Sequence, residues 1–350
     1  MNPGTVRRTV RTLARNLAHP VRLANILRGR LSRPAPGGRV SWLPYSLDVE
    51  PTLRCNLRCP MCVHTHWSRA APDMTPDGFR RLLDGVPTLV KVKLQGVGEP
   101  FLSPHFFDLV EEATRRDIAP HTITNGTTLS ERVVERIYAS GLVEVAVSLD
   151  TPRKESFERI RAGADFDRVL AGVRRLCGHG LRRRLLVSVW ATIWRDTVAE
   201  TPELVRLAAD LGVDSLFLNF SLWDWNDPGA ARAVAGARPV GDDIYRESAR
   251  RSREEAARSG LALVVLPPGA GAARSSILRC EWPWRSAFVT CDGHVTPCCK
   301  IARPADCSLG NAFTTPFRAI WNGPRYRAFR AAFLRGEPPA VCDAACSAGG

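Results

Sequence analysis

Cys55-Asn-Leu-Arg-Cys59-Pro-Met-Cys62 decides how this chain is read. Three cysteines stand at C-x3-C-x2-C spacing, directly after the strand-like run Ser46–Glu50. Thiolates are the ligands that iron–sulfur clusters select. A [4Fe–4S] cluster takes one ligand per iron, and this loop offers three, which leaves one iron open to a small molecule. A closed zinc or ferredoxin site wants four cysteines. Three structural or zinc-binding thiols in a loop are the plain alternative.

The stretch resembles the signature of the radical S-adenosylmethionine (radical SAM) enzymes. In that family the open iron binds the amino and carboxylate groups of SAM. One electron then cleaves SAM to a 5′-deoxyadenosyl radical, which takes a hydrogen atom from the substrate. The resemblance implies a partial (β/α)6 TIM-like barrel with the cysteine loop after its first strand, an α/β fold with chemistry at the C-terminal strand ends.

Composition permits this. A chain of 350 residues has room for one large domain and a smaller one. No apolar run reaches the length of a membrane span, and no secretory h-region is present. The eleven cysteines cluster at ligand spacings, which fits a reducing cytoplasm better than disulfides. The net charge of +14 points less to nucleic acid than it first suggests. No Asp or Glu precedes Asp48, and nine arginines lie in that segment, so the remainder carries an ordinary charge of +5.

Residues 1–45 read as a basic amphipathic extension, with apolar positions from Val6 to Leu31 at helical spacing and Pro20 dividing two short helices. It is a lid or bracket on the main domain, a membrane-surface or partner-binding helix, or a transit peptide. From 46 to 268 strands and helices alternate. Strands are expected at Ser46–Glu50, Lys91–Gln95, His121–Thr124, Val143–Leu149, Leu185–Ile193, Ser215–Phe220 and Leu261–Leu266. Such repeats imply a parallel sheet with right-handed crossovers.

Motifs fall at those strand ends. Gly96-Val-Gly98-Glu99-Pro100 resembles the segment that binds the SAM amino group, and Thr124-Asn125-Gly126 a turn of the same family. Val97 interrupts the expected glycine pair. Ser148 and Asp150 alternate at the end of the fourth strand, where the resemblance places SAM's ribose and carboxylate. Arg161 fits the family's carboxylate-binding arginine, a role that its planar fork suits. Met61 is expected to lend backbone contacts to adenine. Each has a plainer reading as a turn, a cap, a solvated arginine or a gap-filling methionine. His64, His66, Trp67, Trp190, Trp194, Trp223, Asp224 and Trp225 line either the cavity or the core, and Cys177 reads as a small buried hydrophobe.

Residues 269–350 hold a second cysteine set: Cys280, Cys291, Cys298, Cys299, Cys307, Cys342 and Cys346. Gly269–Ala273 reads as a linker, and Asp292-Gly293 as the turn of a hairpin delivering Cys298. This region resembles the SPASM/twitch extension, a small α+β domain holding auxiliary [4Fe–4S] clusters. The resemblance implies one auxiliary cluster on Cys280, Cys298, Cys342 and Cys346. Cys299 is the alternative to Cys298, since only one of two adjacent strand residues faces the cluster. Cys291 and Cys307 stay unassigned, and a zinc site on the same four cysteines is the rival.

The expected function is therefore radical SAM chemistry with an auxiliary cluster that takes an electron from the substrate radical. The expected outcome is two-electron oxidation of a small-molecule substrate, a sugar, aminocyclitol or nucleoside in antibiotic or related biosynthesis. The alternative is peptide maturation, set second because the N-terminal extension is shorter than a peptide-binding domain. Epimerase or decarboxylase outcomes stay open, and the non-enzyme rival is an RNA-associated iron–sulfur or zinc protein. A flavodoxin- or ferredoxin-type electron donor is implied, with no nucleic acid and at most a membrane-surface contact through the arm.

Overall fold

The computed structural model describes residues 19–223, 225, 227–237, 242–267 and 277–347, with backbone alone at 242, 343–345 and 347. The first half of the arm (Val6, Val10, Leu13 and Leu17), Asp224 and the linker Gly269–Ala273 lie outside the described residues.

In chain order the elements are α1 (Pro20–Leu31), β1 (Ser46–Val49), α2 (Val63–His66), α3 (Pro76–Asp84), β2 (Lys91–Leu94), α4 (Phe106–Arg115), β3 (Ala119–Thr124), α5 (Glu131–Ser140), β4 (Glu144–Ser148), α6 (Lys154–Ile160) and α7 (Phe166–Gly178). There follow β5 (Leu186–Thr192), α8 (Thr201–Asp210), β6 (Ser215–Asn219), α9 (Pro228–Val234), α10 (Asp242–Ser259) and β7 (Ala262–Leu266). The C-terminal part adds α11 (Trp282–Arg285), β8 (Ser286–Val289), β9 (His294–Thr296), β10 (Gly310–Asn311), α12 (Phe317–Trp321), α13 (Pro324–Leu334) and α14 (Ala340–Ser347). Side chains cap three of the helices: Thr75 accepts from Gly78 N at 3.1 Å, Ser130 from Val133 N at 3.4 Å, and Asp165 from Arg168 N at 2.9 Å.

Strands β1 to β7 pair in sequence order, each parallel to the next. The face toward the helices is dry: Val92, Leu94, Val145, Val147, Val187, Val189, Leu216 and Leu218 are all 0% exposed. The opposite face alternates with it at period two and is half-open, carrying Lys91, Lys93, Gln95, Trp190, Thr192 and Phe217. That face is concave. Lys93 on β2 and Trp190 on β5 are separated by two strands, about 14 Å along a flat sheet. Yet the Lys93 ammonium lies 5.6 Å from the Trp190 ring centroid.

The hairpin β8–β9 continues the barrel sheet. β8 pairs parallel with β1, in register Ser46 to Ser286, and β9 and β10 add on antiparallel. The physical reason is the open ladder edge of β1, which the hairpin covers. Beyond it, Arg330 is wholly buried between the rings of Trp321 and Tyr326, at 4.0 and 4.2 Å. It donates to the carbonyls of Pro283 and Trp321, both at 2.7 Å. The described half of the arm packs as a bracket. Arg22 donates to the carbonyls of Arg116 and Asp117 at the end of α4, and Asn25 exchanges two 2.9 Å bonds with Leu43. Among the described residues no helix is long and apolar enough to cross a membrane.

Candidate functional site

The Cys55–Cys62 loop leaves the C-terminal end of β1 and crosses toward β4 and β5. Its thiols share an apolar cluster with Leu57, Met61, Ile160, Trp194 and Leu222. Each thiol acts electrostatically on its neighbours, and burial raises all three, Cys62 to about 12. Three thiols gathered in a dry pocket fit a group whose own positive charge deprotonates them. Soft thiolates of this kind suit an iron–sulfur cluster, to which each would give one ligand.

The expected SAM contacts gather around this loop, and they are coupled to one another. Arg161 donates from Nε to Asp150 Oδ2 at 2.5 Å and from Nη2 to Oδ1 at 3.0 Å. It also reaches the Cys59 thiol. Asp150 Oδ1 in turn accepts from Thr192 N at 2.7 Å, which ties the pair to β5. Glu99 accepts from Asn125 N at 2.7 Å and from Thr124 Oγ1 at 2.6 Å, joining the ends of β2 and β3. Its burial pushes the carboxyl up to about 7. Asn125 Nδ2 donates to Asn56 at 3.0 Å and stands 4.0 Å from the Cys55 sulfur.

Gly98 is dictated by close approach, since a Cβ there would lie 2.4 Å from the Thr52 carbonyl oxygen. Met61 is 9% exposed and its side chain packs in the apolar cluster. Ser148 is buried at the end of β4, in register with Trp190. His66 bonds the Pro60 carbonyl at 2.8 Å and His64 lies 3.4 Å from Arg58, so both brace the loop.

Around the concave face, Trp190 stacks on Phe217 with centroids 5.1 Å apart, and Trp223 packs edge-on to Trp225 at 6.2 Å. Trp194 belongs to the core cluster of the cysteine loop. Asp48 is buried, accepts from Gln95 Nε2 at 2.9 Å, and has its carboxyl raised by burial.

The second cysteine set gathers around the end of the hairpin. The Cys298 thiol lies near both Cys299 and Cys342, and Cys280 near Cys346, with the Lys300 ammonium 3.9 Å from the Cys346 sulfur. Cys299 also lies near Asp48 and Lys93 of the barrel. Cys307 lies near Tyr326, and Cys291 is buried against Glu50.

Sequence reasoning did not single out Glu50, Arg69 and Asp292. Arg69 bridges the two carboxylates, at 3.3 Å to Glu50 and 2.6 Å to Asp292. Glu50 also accepts from Val97 N at 3.0 Å and Cys291 N at 3.3 Å. The available signal was a polar period-two pattern, Asp48 and Glu50 beside Lys91, Lys93 and Gln95, inside strands whose other positions are apolar.

Comparison with known proteins matches residues 49–208 to the radical SAM superfamily and residues 280–347 to the SPASM iron–sulfur cluster-binding domain. The chain thus carries a radical SAM domain followed by a SPASM domain. It is 31% identical over 180 residues to a tungsten-containing aldehyde ferredoxin oxidoreductase cofactor-modifying protein of Pyrococcus furiosus, covering 49% of this chain and 50% of that one. The chain thus spans half the length of that relative. It is 28% identical over 307 residues to a PqqA peptide cyclase of Gluconobacter oxydans, covering 86% of this chain and 83% of that one. Among solved radical SAM folds, Streptococcus suis SuiB bound to its precursor peptide SuiA superposes with a TM-score of 0.69 at 16% identity, over 84% of this chain and 68% of that one. At that identity the likeness establishes the fold: a partial barrel with a C-terminal SPASM domain. A radical SAM domain joined to a SPASM domain implies SAM and [4Fe–4S] clusters, one of them auxiliary.

Proposed function

We propose that this chain is a maturase that oxidises or cross-links a peptide by radical SAM chemistry. One observation carries the reading: the likeness to the PqqA peptide cyclase runs through both domains and over 83% of that protein. The earlier preference for a sugar or cyclitol rested on the short N-terminal extension, and a relative of such matching extent removes that objection.

Cys55, Cys59 and Cys62 would hold the SAM-binding cluster, and Cys280, Cys298, Cys342 and Cys346 the auxiliary one. With these groups and SAM bound, the site supplies a carbon radical able to take hydrogen from an unactivated C–H bond. The residues here do the rest. Leu57, Met61, Ile160, Trp194 and Leu222 keep water from the thiols. Asp150 fixes the plane of Arg161, so its remaining N–H groups meet a carboxylate in one orientation. Glu99 holds the Asn125 turn, and Gly98 lets the chain pass close enough for backbone groups to meet an ammonium. Substrate meets the half-open concave face between Lys93, Trp190, Phe217 and Trp223. A flavodoxin- or ferredoxin-type donor supplies the electron.

The test offers two panels to the anaerobic, reconstituted enzyme with SAM. One contains perdeuterated peptides encoded by short reading frames flanking its gene, the other deuterated sugars and aminocyclitols. Deuterium appearing in 5′-deoxyadenosine from a peptide that loses two hydrogens is expected. Transfer from a sugar alone would overturn the peptide reading.

A further inference from the structure

Lysine is scarce in this chain. Of its 49 Lys and Arg residues only Lys91, Lys93, Lys154 and Lys300 are lysines, so arginine is the default cation. Lys154 is an exposed partner of Asp167 at 2.6 Å. Lys91 and Lys93 leave β2 on the face of Asp48 and both act on its carboxyl, while Lys93 and Lys300, far apart in sequence, both act on the Cys299 thiol.

Lys93 and Lys300 each stand beside an aromatic ring, and the Lys300 ammonium also stands 3.9 Å from the Cys346 sulfur. The Lys93 ammonium lies 5.6 Å from the Trp190 centroid, and that of Lys300 lies 4.2 Å from the Trp223 centroid. Cation–π contacts of this kind are weaker than a desolvated ion pair. Among the described residues neither ammonium has a carboxylate at ion-pair distance; the nearby Asp48 carboxyl is engaged by Gln95. Lys93, Lys300, Trp190, Phe217 and Trp223 are all half-buried. Two cations beside two aromatic walls complement a small anion carried on an apolar or aromatic stem.

We propose that Lys93 and Lys300 anchor a carboxylate of the substrate, with the Trp190–Phe217 stack and Trp223 as its walls. The proposal rests on the reading above, in which substrate meets this face. The carboxylate belongs to an acidic side chain or to a peptide C-terminus.

The test is zero-length coupling on the reconstituted holoenzyme with SAM. Three acetylated probes, Ac-Phe-Glu-Ala-NH2, Ac-Phe-Ala-Ala-OH and Ac-Phe-Gln-Ala-NH2, are each added with a water-soluble carbodiimide. The probe carboxyl and a lysine Nζ form an amide, and the carbodiimide leaves as its urea with the carboxyl oxygen. The probes lack amines, so activated protein carboxylates give no probe adduct. Peptide mapping then assigns each adduct among four lysines. Adducts on Lys93 or Lys300 at least threefold above Lys154 are expected with one acidic probe, and none with the Gln probe. Which acidic probe couples tells side chain from C-terminus. Lys93→Gln is expected to cut the Lys300 adduct at least threefold while keeping wild-type iron content. Adducts that follow exposure, with Lys154 dominant, would overturn the anchor. So would loss of iron in Lys93→Gln, which would make the lysine a partner of the clusters. Wild type that cleaves no SAM would instead sink the reading on which the anchor rests.

Discussion

Arg69, seven residues past the cysteine loop, donates to Asp292 at the tip of the C-terminal hairpin, at 2.6 Å and 223 residues away in sequence. The same guanidinium meets Glu50, whose carboxylate is 0% exposed. One cation thus ties the end of β1, the Gly96–Gly98 turn and the hairpin that introduces the second cysteine set. Removing it leaves Glu50 buried and uncompensated, which costs about 3–5 kcal/mol. Arg69→Ala is expected to lower the melting temperature by several degrees and to loosen the hairpin, read as faster amide exchange in β8 and β9. Arg69→Ala with unchanged exchange there would show that the hairpin is held by the β1–β8 ladder alone.

Cys298 and Cys299 make a sharp comparison. Cys298 has Cys342 among its neighbours, whereas Cys299 has Asp48 and Lys93. Cys298→Ser is expected to lower bound iron by about four per chain, one [4Fe–4S] cluster. Cys299→Ser is expected to leave iron unchanged. The reverse pattern would exchange their roles.

Glu99 gives a pH dependence. Its carboxyl is raised from 4.5 to about 7 by burial. The folded chain therefore holds a proton that the unfolded chain has released between those values. The resulting stability is complete below about pH 4.5 and is lost as pH rises through about 7, amounting to about 3 kcal/mol. Denaturant melts of metal-free protein should show this slope, and Glu99→Gln should flatten it. A slope unchanged by the substitution would place the titration elsewhere.

Arg161 and Asp150 form a bidentate pair on the cysteine loop. Arg161→Lys retains the charge and loses the fork. It is expected to weaken SAM binding at least tenfold, about 1.4 kcal/mol, with iron content retained. Equal affinity, measured by equilibrium dialysis with labelled SAM, would remove Arg161 from the SAM site.

Much of this was legible in the sequence because local rules governed it. The seven parallel strands followed from apolar runs that alternate with helices. The cysteine loop was legible because cluster ligation demands a fixed spacing. Pairings over long separations were not. Nothing local says that β8 docks on β1, that Arg69 meets Asp292, or that Lys300 joins Lys93 beside Cys299. The choice between Cys298 and Cys299 required knowing which face of the hairpin end looks into the barrel. The short helices α2, α6 and α9 also escaped, because four to seven residues carry too little periodicity to separate a helix from a loop.

The most direct test is iron and sulfide content after anaerobic reconstitution, on wild type and on the Cys55→Ala/Cys59→Ala/Cys62→Ala variant, with SAM cleavage followed alongside. The account predicts about eight irons in wild type and about four in the variant, with 5′-deoxyadenosine formed by wild type alone. About four irons in wild type and none in the variant would remove the auxiliary cluster. Zinc in place of iron, with no SAM cleavage, would contradict the account altogether.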